Sequence, residues 1–235
     1  MLKQPITICI TMGAQGRTTY ALAPHLCSGQ TWGPDQPLKL HFHTRSPSDI
    51  RSLGAFKMEL EDCIHPLVRD IIATIDLTEA TKDADVVISI EDPPTPGIEL
   101  KEMIESNASF MRELAESVTA NASPGVKVLM VGDNSNTNCL VLSECAPDLP
   151  RRNITGLSRL EYNRGVSQLA TKTGQPCNTI CNLCVWGKVG KTELPDARTC
   201  TIAGTPAKEA VGDEEWTDNT FAVNILERGA MVSKG

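Results

Sequence analysis

Residues 5–27 read PITICITMGAQGRTTYALAPHLC. An apolar, β-branched run at 5–11 leads into a glycine turn at 12–18, MGAQGRT, and a helix continues over 19–27. Strand, G-x-x-G turn and helix, in that order at the start of a chain, are the opening of a dinucleotide-binding α/β fold. The glycines allow a tight turn and close backbone approach, and the helix N-terminus favours a phosphate. Many glycine turns begin helices, so the turn acquires meaning only from the chain beyond it.

Past residue 28 the alternation repeats. After a Gly- and Pro-rich loop at 29–37, the sequence predicts a strand at 38–43 and a helix at 53–63, with Met58, Leu60 and Cys63 among its apolar positions. A short strand at 71–75, a brief helix at 78–82 and a buried strand at 84–90 come next. Residues 91–97, EDPPTPG, form a loop, because three prolines support neither a helix nor a ladder. One long amphipathic helix at 98–121, a strand at 126–131, a helix at 137–144 and a proline-bounded connection at 146–152 complete this part. Strands alternating with helices argue for a parallel sheet covered on both faces. From residue 153 the pattern changes: a helix at 157–169, a strand at 179–186, a loop at 187–195, a β-like segment at 199–202 within a polar stretch, and a helix at 219–232. The expected domains are therefore 1–152 and 153–235.

The 235 residues suffice for a sizeable core, and 40% apolar with 22% charged residues is ordinary for a globular protein. The net charge of −7 gives no sign of nucleic-acid binding. No apolar run is long enough to cross a bilayer, and the N-terminus has neither a signal-peptide nor a transit-peptide pattern. A cytoplasmic protein is the expectation. Nine cysteines without a secretory signal read as reduced thiols. Cys177, Cys181 and Cys184 have the C-x3-C-x2-C spacing of an iron–sulfur ligand motif. However, residues 180–186, ICNLCVW, read as a buried strand whose alternate side chains point to opposite faces, so the three thiols do not converge. No metal is expected.

The stretch at 157–169, LSRLEYNRGVSQL, reads as a helix with Leu157, Leu160 and Leu169 as apolar anchors and Val166 between them. Glu161 and Arg164 share one face. They are either a local ion pair or part of a reaction centre.

This stretch resembles the LTRLDHNRALSQL element of cytosolic-type malate dehydrogenases. GPDQP at 33–37, MELEDC at 58–63, NTN at 136–138, APDLP at 146–150 and RGA at 228–230 are also similar to that family almost letter for letter, and the similarity runs from Ile6 to the end of the chain. The resemblance implies a Rossmann domain with a parallel sheet, followed by an α+β domain, here incomplete, with the active site between them.

That chemistry needs a histidine base, a carboxylate to hold it, arginines to clamp two substrate carboxylates, and an asparagine to orient the reacting oxygen. The resemblance places Val189 where the family has its histidine, within WGKVGKTELPD at 186–196. Pro94 and Leu100 stand at the two loop-arginine positions, within PPTPGIEL at 93–100. Asp133 replaces the asparagine in GDNSNTN, and Glu161 replaces the aspartate. Of this set only Arg164 is kept. Losing a base and two clamps leaves little rate, so no catalytic residue is expected and these positions are vestigial. Lys188 and Lys191 read as surface charges. His25, His41, His43 and His65 all fall in the first domain and read as core or surface residues.

For a cofactor, the resemblance points to Gly13, Gln15, Gly16, Arg17, Thr44 and Asn107 as candidate binding residues. Thr44 stands where the ribose-binding acid is expected, followed by Arg45, which either favours the 2′-phosphate of NADP over NAD or reflects lapsed selection. The family's glycine before the mobile loop appears as Ile90 or Glu91, beside the nicotinamide half. Family members continue past the point matching Gly235; an end there would leave an open sheet edge that recruits partners, unless the sequence is a fragment. The expected partners are a second copy, an active paralogue or a larger assembly. The leading expectation is an inactive relative serving as an interaction subunit; the alternative is a dehydrogenase of altered specificity.

Overall fold

The computed structural model describes residues 3–12, 16–91, 99–187 and 192–234. The chain divides into two compact units, one ending at Gly156 and the other beginning at Leu157.

The first unit is built on a six-stranded parallel sheet: β1 Ile6–Met12, β2 Leu38–His43, β3 Val68–Thr74, β4 Val86–Ile90, β5 Lys127–Val131 and β6 Ile154–Gly156, in the order β3-β2-β1-β4-β5-β6. The order reverses between β1 and β4, whose ends align with Met12 opposite Ile90. Five helices connect the strands: α1 Arg17–Cys27, α2 Ile50–Asp62, α3 Leu77–Thr81, α4 Leu100–Asn121 and α5 Ser135–Cys145.

The alternation of side chains along a strand explains the two cores. Ile8 and Ile10 point into one layer, with Leu40 and Phe42 of β2 and with Leu53, Phe56 and Leu60 of α2. Cys9 points into the other, with Val87, Val128 and the α4 side chains Phe110, Met111, Leu114, Ala115 and Val118. Those α4 positions recur at helical spacing and form one buried stripe. Both faces of the sheet are thus covered, as the alternation of strands and helices implied. On α2 the buried face is Leu53, Phe56 and Leu60; Met58 is exposed and so is Cys63 just past the helix, although both read as apolar positions. Residues 154–156, where the sequence names no element, pair with β5. Three residues are too few to carry a periodicity.

The second unit holds α6 Arg159–Thr173, α7 Ala207–Val211 and α8 Phe221–Lys234 around short strands. β7 Ile180–Cys181, β10 Thr201–Ile202 and β11 Thr205–Pro206 form an antiparallel sheet, and β8 Cys184–Trp186 pairs with β9 Leu194–Asp196. The core is Val166, Leu169, Ile180, Leu183, Ile202, Phe221 and Ile225. Gly165 lets α6 approach its neighbours: a Cβ there would lie 2.6 Å from Leu183 Cδ2 and 3.4 Å from Ile225 Cδ1.

Two expectations fail here. The single strand expected at 179–186 is two strands in different sheets, parted at Asn182, whose φ of +60° lies in the left-handed region that asparagine tolerates. Cys181 is exposed rather than buried, and no group of three or more His, Cys, Asp or Glu among the described residues could hold a metal. Leu157 and Leu160 are not buried anchors either: they are 37% and 53% exposed, whereas Val166 and Leu169 face the core.

Candidate functional site

In an open α/β sheet, ligands bind beyond the carboxyl ends of the strands where the strand order reverses. Here that place lies beyond Met12 and Ile90. Gly13 and Gln15 lie outside the described residues. Gly16 caps α1 from an extended backbone (φ −75°, ψ 166°), with no side-chain cap, and Arg17 is exposed at the first helical position.

On the β2 side, Thr11 and His43 are buried together, with Thr11 Oγ1 2.6 Å from His43 Nδ1. Burial pushes the His43 imidazole down to about 4, helped by the Arg45 charge and opposed by a hydrogen bond to the Ile75 backbone and by Asp76. The ring is therefore neutral at neutral pH. Between about 6.5 and 4 the unfolded chain binds the proton and the folded chain does not, so stability rises with pH across that window. Lowering the pH from 7 to 4.5 should cost about 2 kcal/mol of first-unit stability through this residue. Urea unfolding of His43→Asn at both pH values checks this: the variant should lose that much less on acidification.

Thr44, expected to face a ribose, is only 3% exposed; its N–H donates to Thr74 and its hydroxyl accepts from the Ser46 N–H. The exposed side chain at this strand end is Arg45, whose guanidinium lies 4.8 Å from the Phe110 ring centroid. The backbone turns inward at Thr44 and outward one residue later. A threonine followed by an arginine was the only trace of this in the sequence.

On the β4 side the central group is Glu91. Its N–H donates to Val131 O, which keeps it aligned with the sheet. Oε1 accepts from the Asn107 and Asn134 side-chain amides at 2.6 and 2.5 Å, and Oε2 from the Asn134 N–H at 2.9 Å. Gly132, at φ +142°, leaves room for it: a Cβ there would lie 2.5 Å from Glu91 Cβ. The Asn107 amide is thus engaged by Glu91. Asp133 is exposed, and the polar side chain that enters the structure is the adjacent Asn134, 1% exposed. The carboxylate held at this strand end is Glu91.

In the second unit, Glu161 is 4% exposed and pairs with Arg164 at 3.7 Å. The structure brings these two together as the shared helix face predicted. Asp196 accepts from the Arg198 side chain and N–H and from Trp186 Nε1. The Arg198 hydrogen bonds hold its carboxyl well below the usual range. Trp186 and Asp196 thereby close the β8–β9 hairpin that carries the expected histidine position. Val189 and Lys188, Lys191 and Pro94 lie outside the described residues; of Leu100 only the backbone is described, as the first residue of α4.

A family model described as the lactate/malate dehydrogenase NAD binding domain matches residues 9–155. Malate dehydrogenase 3, cytoplasmic, of Arabidopsis thaliana is 41% identical over 98% of this chain and 69% of its own length. The cytoplasmic malate dehydrogenase of Zea mays is 34% identical over 100% of this chain and 71% of its own. Among solved structures, malate dehydrogenase from Naegleria fowleri superposes with a TM-score of 0.93 at 34% identity, covering 100% of this chain and 72% of that one. Trichomonas vaginalis lactate dehydrogenase in complex with NADH and oxamate gives 0.90 at 30% identity, covering 97% and 70%. No helix among the described residues is long and apolar enough to cross a membrane.

Proposed function

The chain belongs to the lactate/malate dehydrogenase family, and from that premise we propose that it is a non-catalytic cytoplasmic member that acts as a protein-interaction subunit. One observation carries the reading. The four histidines, His25, His41, His43 and His65, all precede the second unit, and the residue matched to the base's partner, Glu161, is paired with Arg164. A proton acceptor of suitable pKa within reach of the reacting hydroxyl is what this chemistry requires. His43 is buried against Thr11 and Phe110 and is unsuited to the task.

The interaction half of the reading is supported by apolar side chains left exposed on helices. In the first unit these include Tyr20, Met58 and Leu140; in the second, Leu160, Val223 and Met231. These side chains are the ones such a partner would cover, with a second copy or a catalytically active paralogue as the occupant.

Purified protein supplied with malate and NAD or NADP should form no measurable NAD(P)H, at least about 10⁴-fold below the rate of an active relative, as expected when a base and its clamps are missing together. Turnover above that level defeats the reading. Light scattering after size exclusion tests the subunit role: a monomer both alone and with the paralogue counts against it.

A second reading, an NADP-using dehydrogenase of altered specificity, is favoured by one observation. Arg45 is exposed just beyond β2, where an arginine accommodates a 2′-phosphate. It predicts NADPH-dependent reduction of a 2-oxo acid less acidic than oxaloacetate.

A further inference from the structure

We propose that Glu91 is a specificity residue that closes the β4–β5 half of the nucleotide crevice, so that the chain cannot seat the nicotinamide half of a dinucleotide. The identity of the crevice rests on the family reading, and everything else on the Glu91 geometry.

A dinucleotide lies across the point where the strand order reverses, with one mononucleotide over each half of the sheet. Met12 and Ile90 mark that point, and Glu91 is the next residue past β4. Its carboxylate reaches over the end of β5, packs on Gly132 and accepts three hydrogen bonds from Asn107 and Asn134. All three donors are neutral amides, and no lysine or arginine is paired with this carboxylate among the described residues.

Two consequences oppose a nicotinamide mononucleotide here. The Asn134 N–H and the side-chain amides of Asn107 and Asn134 are already drawn onto the Glu91 carboxylate, which fixes both amides and leaves each at most one further N–H for another acceptor. In addition, a carboxylate with no cationic partner among the described residues stands on the side that the second phosphate of a dinucleotide would approach, in a partly buried setting where like charges repel more strongly than in water. The residues on this side therefore do not fit the second half of NAD or NADP. The side over β1 and β2 differs: it presents two exposed cations, Arg17 and Arg45. The ligand class that fits is the adenosine-diphosphate half alone.

The test is calorimetric titration of the full chain with NADH and with ADP-ribose, for the native protein and for Glu91→Gly and Glu91→Gln. The native protein should bind NADH no more than threefold tighter than ADP-ribose. Glu91→Gly should bind NADH at least tenfold tighter than the native protein, with ADP-ribose affinity unchanged. Glu91→Gln, which removes charge but not bulk, should fall between them and covers the case in which Glu91→Gly is poorly folded. A native preference for NADH above tenfold overturns the proposal, as does an unchanged NADH affinity in a folded variant, including no binding by any of the three proteins. A native preference for NADH above tenfold in protein that turns over no malate defeats this inference and leaves the non-catalytic reading standing, whereas malate turnover defeats that reading instead.

Discussion

Phe110→Ala is expected to lower the stability of the first unit by about 3–5 kcal/mol, the range for removing a buried aromatic ring. Phe110 is 1% exposed and lies in the layer formed with Met111, Leu114, Val118, Val87 and Val128. Its ring stacks on His43 at 6.0 Å between centroids and 11° between planes, and carries the Arg45 guanidinium. The aromatic contact and the cation–π contact each add roughly 0.5–1 kcal/mol to area burial alone. The loss should therefore fall near the upper end of the range. The midpoint of urea unfolding measures it. Phe110→Leu, which keeps most of the volume, should lose much less. A loss below about 1 kcal/mol for the alanine variant would mean that the layer closes around the missing ring.

Arg164→Ala should cost the second unit about 3 kcal/mol. Removing one partner of a buried pair leaves the other charge buried and uncompensated, which typically costs 3–5 kcal/mol; the Arg164 side chain is 22% exposed, which places the effect at the low end. Its guanidinium also lies against α8 at Gly229, where a Cβ would be 3.6 Å from Nη2, so packing is lost as well. Adding Glu161→Gln to Arg164→Ala should restore at least 1 kcal/mol, because the stranded charge is removed. If the two substitutions are simply additive, Glu161 and Arg164 are not coupled, and the loss comes from packing alone.

Much of the fold was legible because its central strands are unusual in one respect. β1 and β4 are buried on both faces and read as nearly continuous apolar runs, whereas β2 alternates Leu38, Leu40 and Phe42 with Lys39, His41 and His43. The alternation with helices then dictated a parallel sheet. The strand at 154–156 was not legible, being three residues long, and the division of 179–186 turned on the single backbone angle of Asn182. The site was legible as a set of positions but not as a set of contacts. Glu91 stands 16 residues from Asn107 and 43 from Asn134. Nothing local in the sequence says that these three side chains meet. Similarly, whether Asp133 or Asn134 turns inward depends on the φ of Gly132, and whether Thr44 or Arg45 faces outward depends on where β2 stops.

The left-handed residue between β7 and β8 has a bearing on how such a chain could change over generations. Asn182 passes the backbone from one sheet to another, so the β8–β9 hairpin is a separate small sheet, packed on α6 and α8. The hairpin is closed by its own Trp186–Asp196 and Arg198–Asp196 bonds. Gly187, at φ +94° with no room for a Cβ against the Thr192 backbone, and Asp196, which accepts from Trp186 and from Arg198, are therefore kept by selection acting on folding, whatever becomes of the chemistry. Where selection on chemistry relaxes, selection on folding still holds this scaffold, and a fold can outlive its reaction without passing through an unstable ancestor.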